Sequence, residues 1–183
     1  MAELYIALVS TPGFFASIIR RAIRGDYIHV VLSLDSYMQE AYSIGRRDPF
    51  IPVLSGFARE DLHRIAQKYP MARYKIMRLT CTERQRLNVI LLLRKYYECR
   101  KMIHYCIIGL PFILMKKPFY QKRRYTCSSF TARVLEESGI YSFGKHFSLV
   151  TPVDFYNLRD AVTVFEGDIQ SLLEMDSMTV SAR

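Results

Sequence analysis

The alternation of apolar and polar positions divides the chain into short strands and amphipathic helices. Tyr5–Val9 is a compact apolar run of strand length. Thr11 and Pro12 then supply a cap and a first-turn proline for a helix to about Arg24, with Phe15, Ile18, Ile19, Ala22 and Ile23 on its apolar face. Gly25 stops it. From Gly25 to Asp35 the pattern has period two: Ile28, Val30, Leu32 and Leu34 form one face, while Tyr27, His29, Val31 and Ser33 point the other way. A turn at Asp35-Ser36 leads to a return strand, Glu40–Ile44, ending at Gly45.

The stretch 46–56, with Pro49, Pro52 and Gly56, reads as a loop, and Arg59–Tyr69 as a short helix. Tyr74–Leu79 alternates as a strand. Thr80 with Glu83 has capping-box spacing and opens a helix from Thr82 to about Lys101, with Leu87, Ile90, Leu91 and Arg94 at helical spacing. Ile103–Met115 is strongly apolar, yet too short to cross a bilayer and broken by Pro111. It reads as core or pocket wall, with a lid, or a surface dipping into lipid beside Lys116 and Lys117, as the alternatives.

The segment Arg124–Gly139 carries the candidate chemistry. Phe130, Val134 and Leu135 follow helical spacing and Gly139 suits the position after the last turn, so Cys127 falls at the first turn. Free N–H groups and partial positive charge there favour a thiolate, lowering a cysteine pKa from about 8.5 into the range of roughly 3.5–7.5, and those N–H groups can bind an oxyanion. The competing reading is a small residue packing a helix start. Thr151 and Pro152 then repeat the cap-plus-proline pattern for a helix to about Leu158. Ala161–Phe165 is a last strand, and from Gly167 the chain reads as a loosely held amphipathic tail. Without repeats or composition breaks, residues 1–183 read as one domain.

The net charge of +9 in 183 residues favours anionic partners, but the basic residues come as pairs and triplets without a nucleic-acid motif, so nucleic acid is not the expected partner. Cys81, Cys99, Cys106 and Cys127 form no CxxC pair, and His29, His63, His104 and His146 show no HxxxH spacing. No metal or organic cofactor is implied. Cysteine usage suits a reducing compartment. The N-terminus lacks a signal-peptide pattern, so the expected location is cytoplasmic.

His29 and Cys127, remote in sequence, form a candidate imidazole–thiolate pair, against the alternative of an ordinary strand histidine. With an even-length turn, Glu40 falls on the face of His29 and within reach of its ring; otherwise it is a surface glutamate. A strand with Tyr-x-His-Val, an acidic residue after the next turn (Glu40-Ala41), and a later Tyr-x-Cys-Ser-Ser opening a helix resemble the circularly permuted papain-like hydrolases. These are the YiiX-like and lecithin:retinol-acyltransferase-like branch of the NlpC-type cysteine peptidase superfamily, in which the histidine strand precedes the cysteine helix. Thr151-Pro152-Val153-Asp154 also resembles a recurring segment of the YiiX-like group.

The resemblance implies an α+β fold: an antiparallel sheet packed against helices. It implies Cys127 as nucleophile, His29 as base and Glu40 as the orienting group; Tyr125 either lines the oxyanion site or packs, and Ser128 and Tyr27 are further candidates to line the oxyanion or substrate site. The implied function is a thiol hydrolase of peptide-like amides. A membrane-surface acyltransferase or lipase taking acyl-lipid substrates, and a non-enzymatic basic binding module, are the alternatives.

Overall fold

A computed structural model describes residues 1–12, 25–46 and 55–181, apart from the side chains of Arg46 and residues 176–181. The helix expected over 13–24 lies outside the described residues, as does most of the 46–56 loop. The fold is α+β. A six-stranded antiparallel sheet has the order β4-β3-β2-β1-β5-β8, built from β1 (Ala2–Ser10), β2 (His29–Ser33), β3 (Ala41–Arg46), β4 (Ser55–Arg59), β5 (Arg73–Cys81) and β8 (Ala161–Asp168). A separate parallel pair joins β6 (His104–Tyr105) to β7 (Arg124–Tyr125). The helices are α1 (Leu62–Lys68), α2 (Glu83–Glu98), α3 (Gly109–Leu114), α4 (Cys127–Glu137), α5 (Pro152–Tyr156) and α6 (Ile169–Ser181), with 3₁₀ turns at Arg100–Met102 and Phe147–Leu149. Among the described residues no helix is long and apolar enough to cross a membrane.

The apolar run in β1 follows from its central place, because a strand covered on both faces has no solvent side to make polar. Leu4, Ile6 and Leu8 share a core with Val30 and Leu32 of β2, Val89 and Leu93 of α2, and Phe130, Val134 and Leu135 of α4. Ala7, Val9 and Val31, on the opposite face, pack with Leu62 and Ala66 of α1 and with Ile169 and Leu172 of α6. The segment after Gly167 is therefore not a loose tail. Ile169 and Leu172 are 0% and 1% exposed, because the far side of the sheet needs an apolar cover.

Two further expectations are corrected. The cap of α2 is Thr82, which exchanges hydrogen bonds with Gln85, while Thr80 remains in β5 opposite Glu3. The stripe that α2 buries is Val89–Leu93, and Leu87 and Leu91 are exposed. Ser55–Arg59, partly read as loop, is strand β4, and α1 starts only after the Asp61 cap.

Candidate active site

Helix α4 begins at Cys127 for local reasons. Thr126 caps it: its Oγ1 accepts from Ser129 N–H at 3.2 Å, and Ser129 Oγ accepts from Thr126 N–H at 2.9 Å. At the other end Gly139, at φ +72°, closes a Schellman turn, with Ile140 N–H donating to Leu135 O and Gly139 N–H to Glu136 O. The apolar face of α4 presses onto the sheet, and its N-terminus meets the start of β2.

The ladder between β2 and β3 covers only Leu32–Tyr42 and Ser33–Ala41. Toward His29 the strands part, and the Cys127 sulfur occupies that gap. Its Sγ lies 4.0 Å from Ile28 O and takes the backbone N–H of Val30 and of Ser128. Continuing the register sets Gly45 opposite His29. A Cβ on Gly45 would stand 2.9 Å from His29 Cε1, so only glycine leaves room for the ring.

His29 Nε2 lies 3.2 Å from both Ser43 Oγ and Glu60 Oε1, and Ser43 Oγ itself donates to Glu60 Oε1. The cross-strand register explains this convergence. Ser43 pairs with Ala58, and Glu60 follows two residues later on the same face. With Nε2 engaged, Nδ1 is the nitrogen left for the thiol, and the ring and the sulfur lie close enough to shift each other's titration.

Burial opposes charge on both groups. It is outweighed at His29 by the adjacent Cys127 and then by Glu60, which raise the imidazole above its ordinary range. At Cys127 the facing imidazolium and the N–H groups of Val30 and Ser128 bring the buried thiol below its ordinary range. Both shifts favour the thiolate–imidazolium form over the neutral pair.

Glu40 does not join this group. It pairs with Leu34 at the turn end of the hairpin, its N–H bound to Asp35 Oδ2 at 2.7 Å, and its side chain is exposed. Five residues of strand, roughly 17 Å, separate Leu34 from His29. The carboxylate beside His29 is Glu60, contributed by the chain just past β4. It was missed because Ser55-Gly56-Phe57-Ala58-Arg59 has only Phe57 as a strong strand former; the alternation of Phe57 between small residues was the available signal.

The three lining candidates are placed as follows. Tyr125 is buried among aromatic rings, its hydroxyl 3.2 Å from that of Tyr120 and 3.4 Å from that of Tyr96, so it packs rather than facing the sulfur. The Ser128 hydroxyl donates to Val150 O at 2.6 Å and ties α4 to the turn before α5, while its backbone N–H faces Sγ. The Tyr27 hydroxyl donates to Glu166 at 2.9 Å, away from Cys127. A residue that sequence reasoning passed over is Tyr105. Burial, and next the charge of Cys127, raise its phenol, so the ring stays neutral within electrostatic reach of the thiol. All four cysteines are free.

Comparison with protein-family models, curated proteins and solved structures finds no match to this chain.

Proposed function

We propose that the chain is a cysteine-dependent hydrolase of amide or ester bonds. One observation carries this reading: a thiol at a helix N-terminus faces an imidazole whose Nε2 is held by a part-buried carboxylate. The Cys127 thiolate attacks the carbonyl carbon, and the electron pair moves to the carbonyl oxygen. The Ser128 N–H is the donor placed to receive that charge. His29 then gives its proton to the departing amine or alcohol, leaving a thioester on Cys127. Water, deprotonated by His29, cleaves the thioester, releasing the acid and restoring the thiol. Glu60 and Ser43 hold the ring and steady its charge.

Acyl transfer to a second acceptor is the same chemistry with water replaced. The exposed apolar residues around α3 favour that variant.

The test is alkylation of each cysteine by iodoacetamide across pH, followed by mass spectrometry, in wild type and His29→Ala. Cys127 is expected to react fastest below pH 7 and to lose that advantage without His29. Reaction at the rate of an ordinary thiol, or indifference to His29, overturns the reading and leaves a basic binding module as the better account.

A further inference from the structure

Residues 106–123 leave the fold and return to it at one point. The two ends are clamped by the β6–β7 pair, with His104 N–H donating to Arg123 O and Cys106 N–H to Tyr125 O. Tyr105 at one end lies within electrostatic reach of the thiol, and Tyr125 at the other precedes Cys127 by two residues. The excursion is tied together internally by Phe112 stacked on Phe119 at 4.4 Å, and its return limb is pinned by Phe119 N–H to Ser148 Oγ at 3.2 Å.

Its outer surface is apolar. Ile107, Ile108, Leu114 and Met115 are 67%, 56%, 59% and 53% exposed. Soluble surfaces rarely group large aliphatic side chains this way without a partner.

The charges carried by the segment and its flanks in sequence are of one sign. From Cys99 to Leu135 the sequence has no Asp or Glu, while Lys101, Lys116, Lys117, Lys122, Arg123 and Arg124 are all exposed. Lys116 and Arg123 adopt left-handed φ values of 55° and 64°, positions where glycine costs less.

We infer that the 106–123 excursion docks on an anionic lipid bilayer surface, its aliphatic side chains entering the headgroup–acyl boundary and its lysines and arginines resting on the lipid phosphates. The aliphatic tip favours lipid over nucleic acid, whose phosphate backbone offers nothing to isoleucine and leucine. The missing carboxylates remove the repulsion an anionic surface would impose. This inference does not rest on thiol chemistry, although docking would set the Cys127 gap close to the membrane plane.

The test is co-sedimentation of the full chain with vesicles of phosphatidylglycerol and phosphatidylcholine in equal parts, and with phosphatidylcholine alone. Four proteins are compared: wild type, Ile108→Ser/Leu114→Ser, Lys116→Glu/Lys117→Glu and Cys127→Ala. Thermal melting checks that each is folded. Wild type is expected to bind the anionic vesicles, with affinity falling as salt rises. Each double variant should weaken binding by about tenfold or more at unchanged melting temperature, and Cys127→Ala should bind as wild type does. The proposal is overturned if wild type ignores anionic vesicles, if it binds neutral ones equally well, or if folded double variants bind undiminished. It is also overturned if wild type dimerises through this surface, which Ile108→Ser/Leu114→Ser would abolish, while vesicles fail to compete. Because Cys127→Ala is scored for binding alone, the outcome is independent of whether the thiol proves reactive.

Discussion

At the scale of single residues the candidate site depends on an absence. His29 can stand between its partners because Gly45 has no side chain to fill the place of the ring. A methyl group there meets an imidazole already held by Ser43 and Glu60, and the ring must turn away from the sulfur. Gly45→Ala is therefore expected to fold and yet lose the fast alkylation of Cys127, checked by thermal melting beside iodoacetamide kinetics. The two glutamates separate as sharply. A hydrogen bond to a charged group contributes about 1.5–3 kcal/mol, which corresponds to roughly ten- to a hundredfold in rate. Glu60→Gln should slow Cys127 alkylation at pH 6 by that order, and Glu40→Gln should leave it unchanged.

The pH dependence follows from the directions of the two shifts. Cys127 is lowered and His29 raised, so the ion pair exists between the depressed thiol pKa and the elevated imidazole pKa. Its stabilising effect is lost as pH falls through the first, because the thiolate is protonated, and as pH rises through the second, because the imidazolium is neutralised. Reactivity at Cys127 should thus rise at a pH below the ordinary thiol range. In His29→Ala the rise should move to or above that range, since burial alone raises a thiol.

At the scale of elements, the helix that carries Cys127 was legible from spacing, cap and terminal glycine, because each is a local signal and the structure keeps all three. The alternation through His29 was equally readable. What escaped was non-local. The register that sends Glu40 to the turn and brings Glu60 to the ring depends on the pairing of β3 with β4, and β4 is a short strand of small residues with little periodicity of its own. The mistake at α6 has a similar origin. Its apolar residues looked weakly organised because the surface they cover is assembled from β1, β2 and β5, all distant in sequence. Since Leu172 is buried in that second core, Leu172→Ala should destabilise the fold by about 2–4 kcal/mol in urea titration. A freely held tail would cost close to nothing.

At the scale of the whole molecule, the candidate site spans the sheet. His29 and Ser43 share the strand face of Val31 and Ala41, which α1 and α6 cover further along, while on the opposite side the start of α4 meets the opening between β2 and β3. The positive charge is not uniform: the stretch around α3 has no carboxylate to offset its lysines and arginines. Electrostatic attraction to anionic surfaces should therefore be concentrated beside Cys127, and raising ionic strength should weaken association without altering Cys127 alkylation in solution.

The pairing of β6 with β7 has a further consequence. Because Cys106 and Arg123 directly flank this two-residue clamp, the gap between them is only on the order of 11 Å, from strand spacing and rise. A bridge of about four glycine and serine residues spans that distance. The intervening segment is thus a cassette with one backbone base, held besides by Phe119 N–H on Ser148 Oγ and by Tyr120 against Tyr125 and Phe147. Its replacement, with those side contacts kept, offers a route to redirect the protein to a different surface without rebuilding the nucleophile.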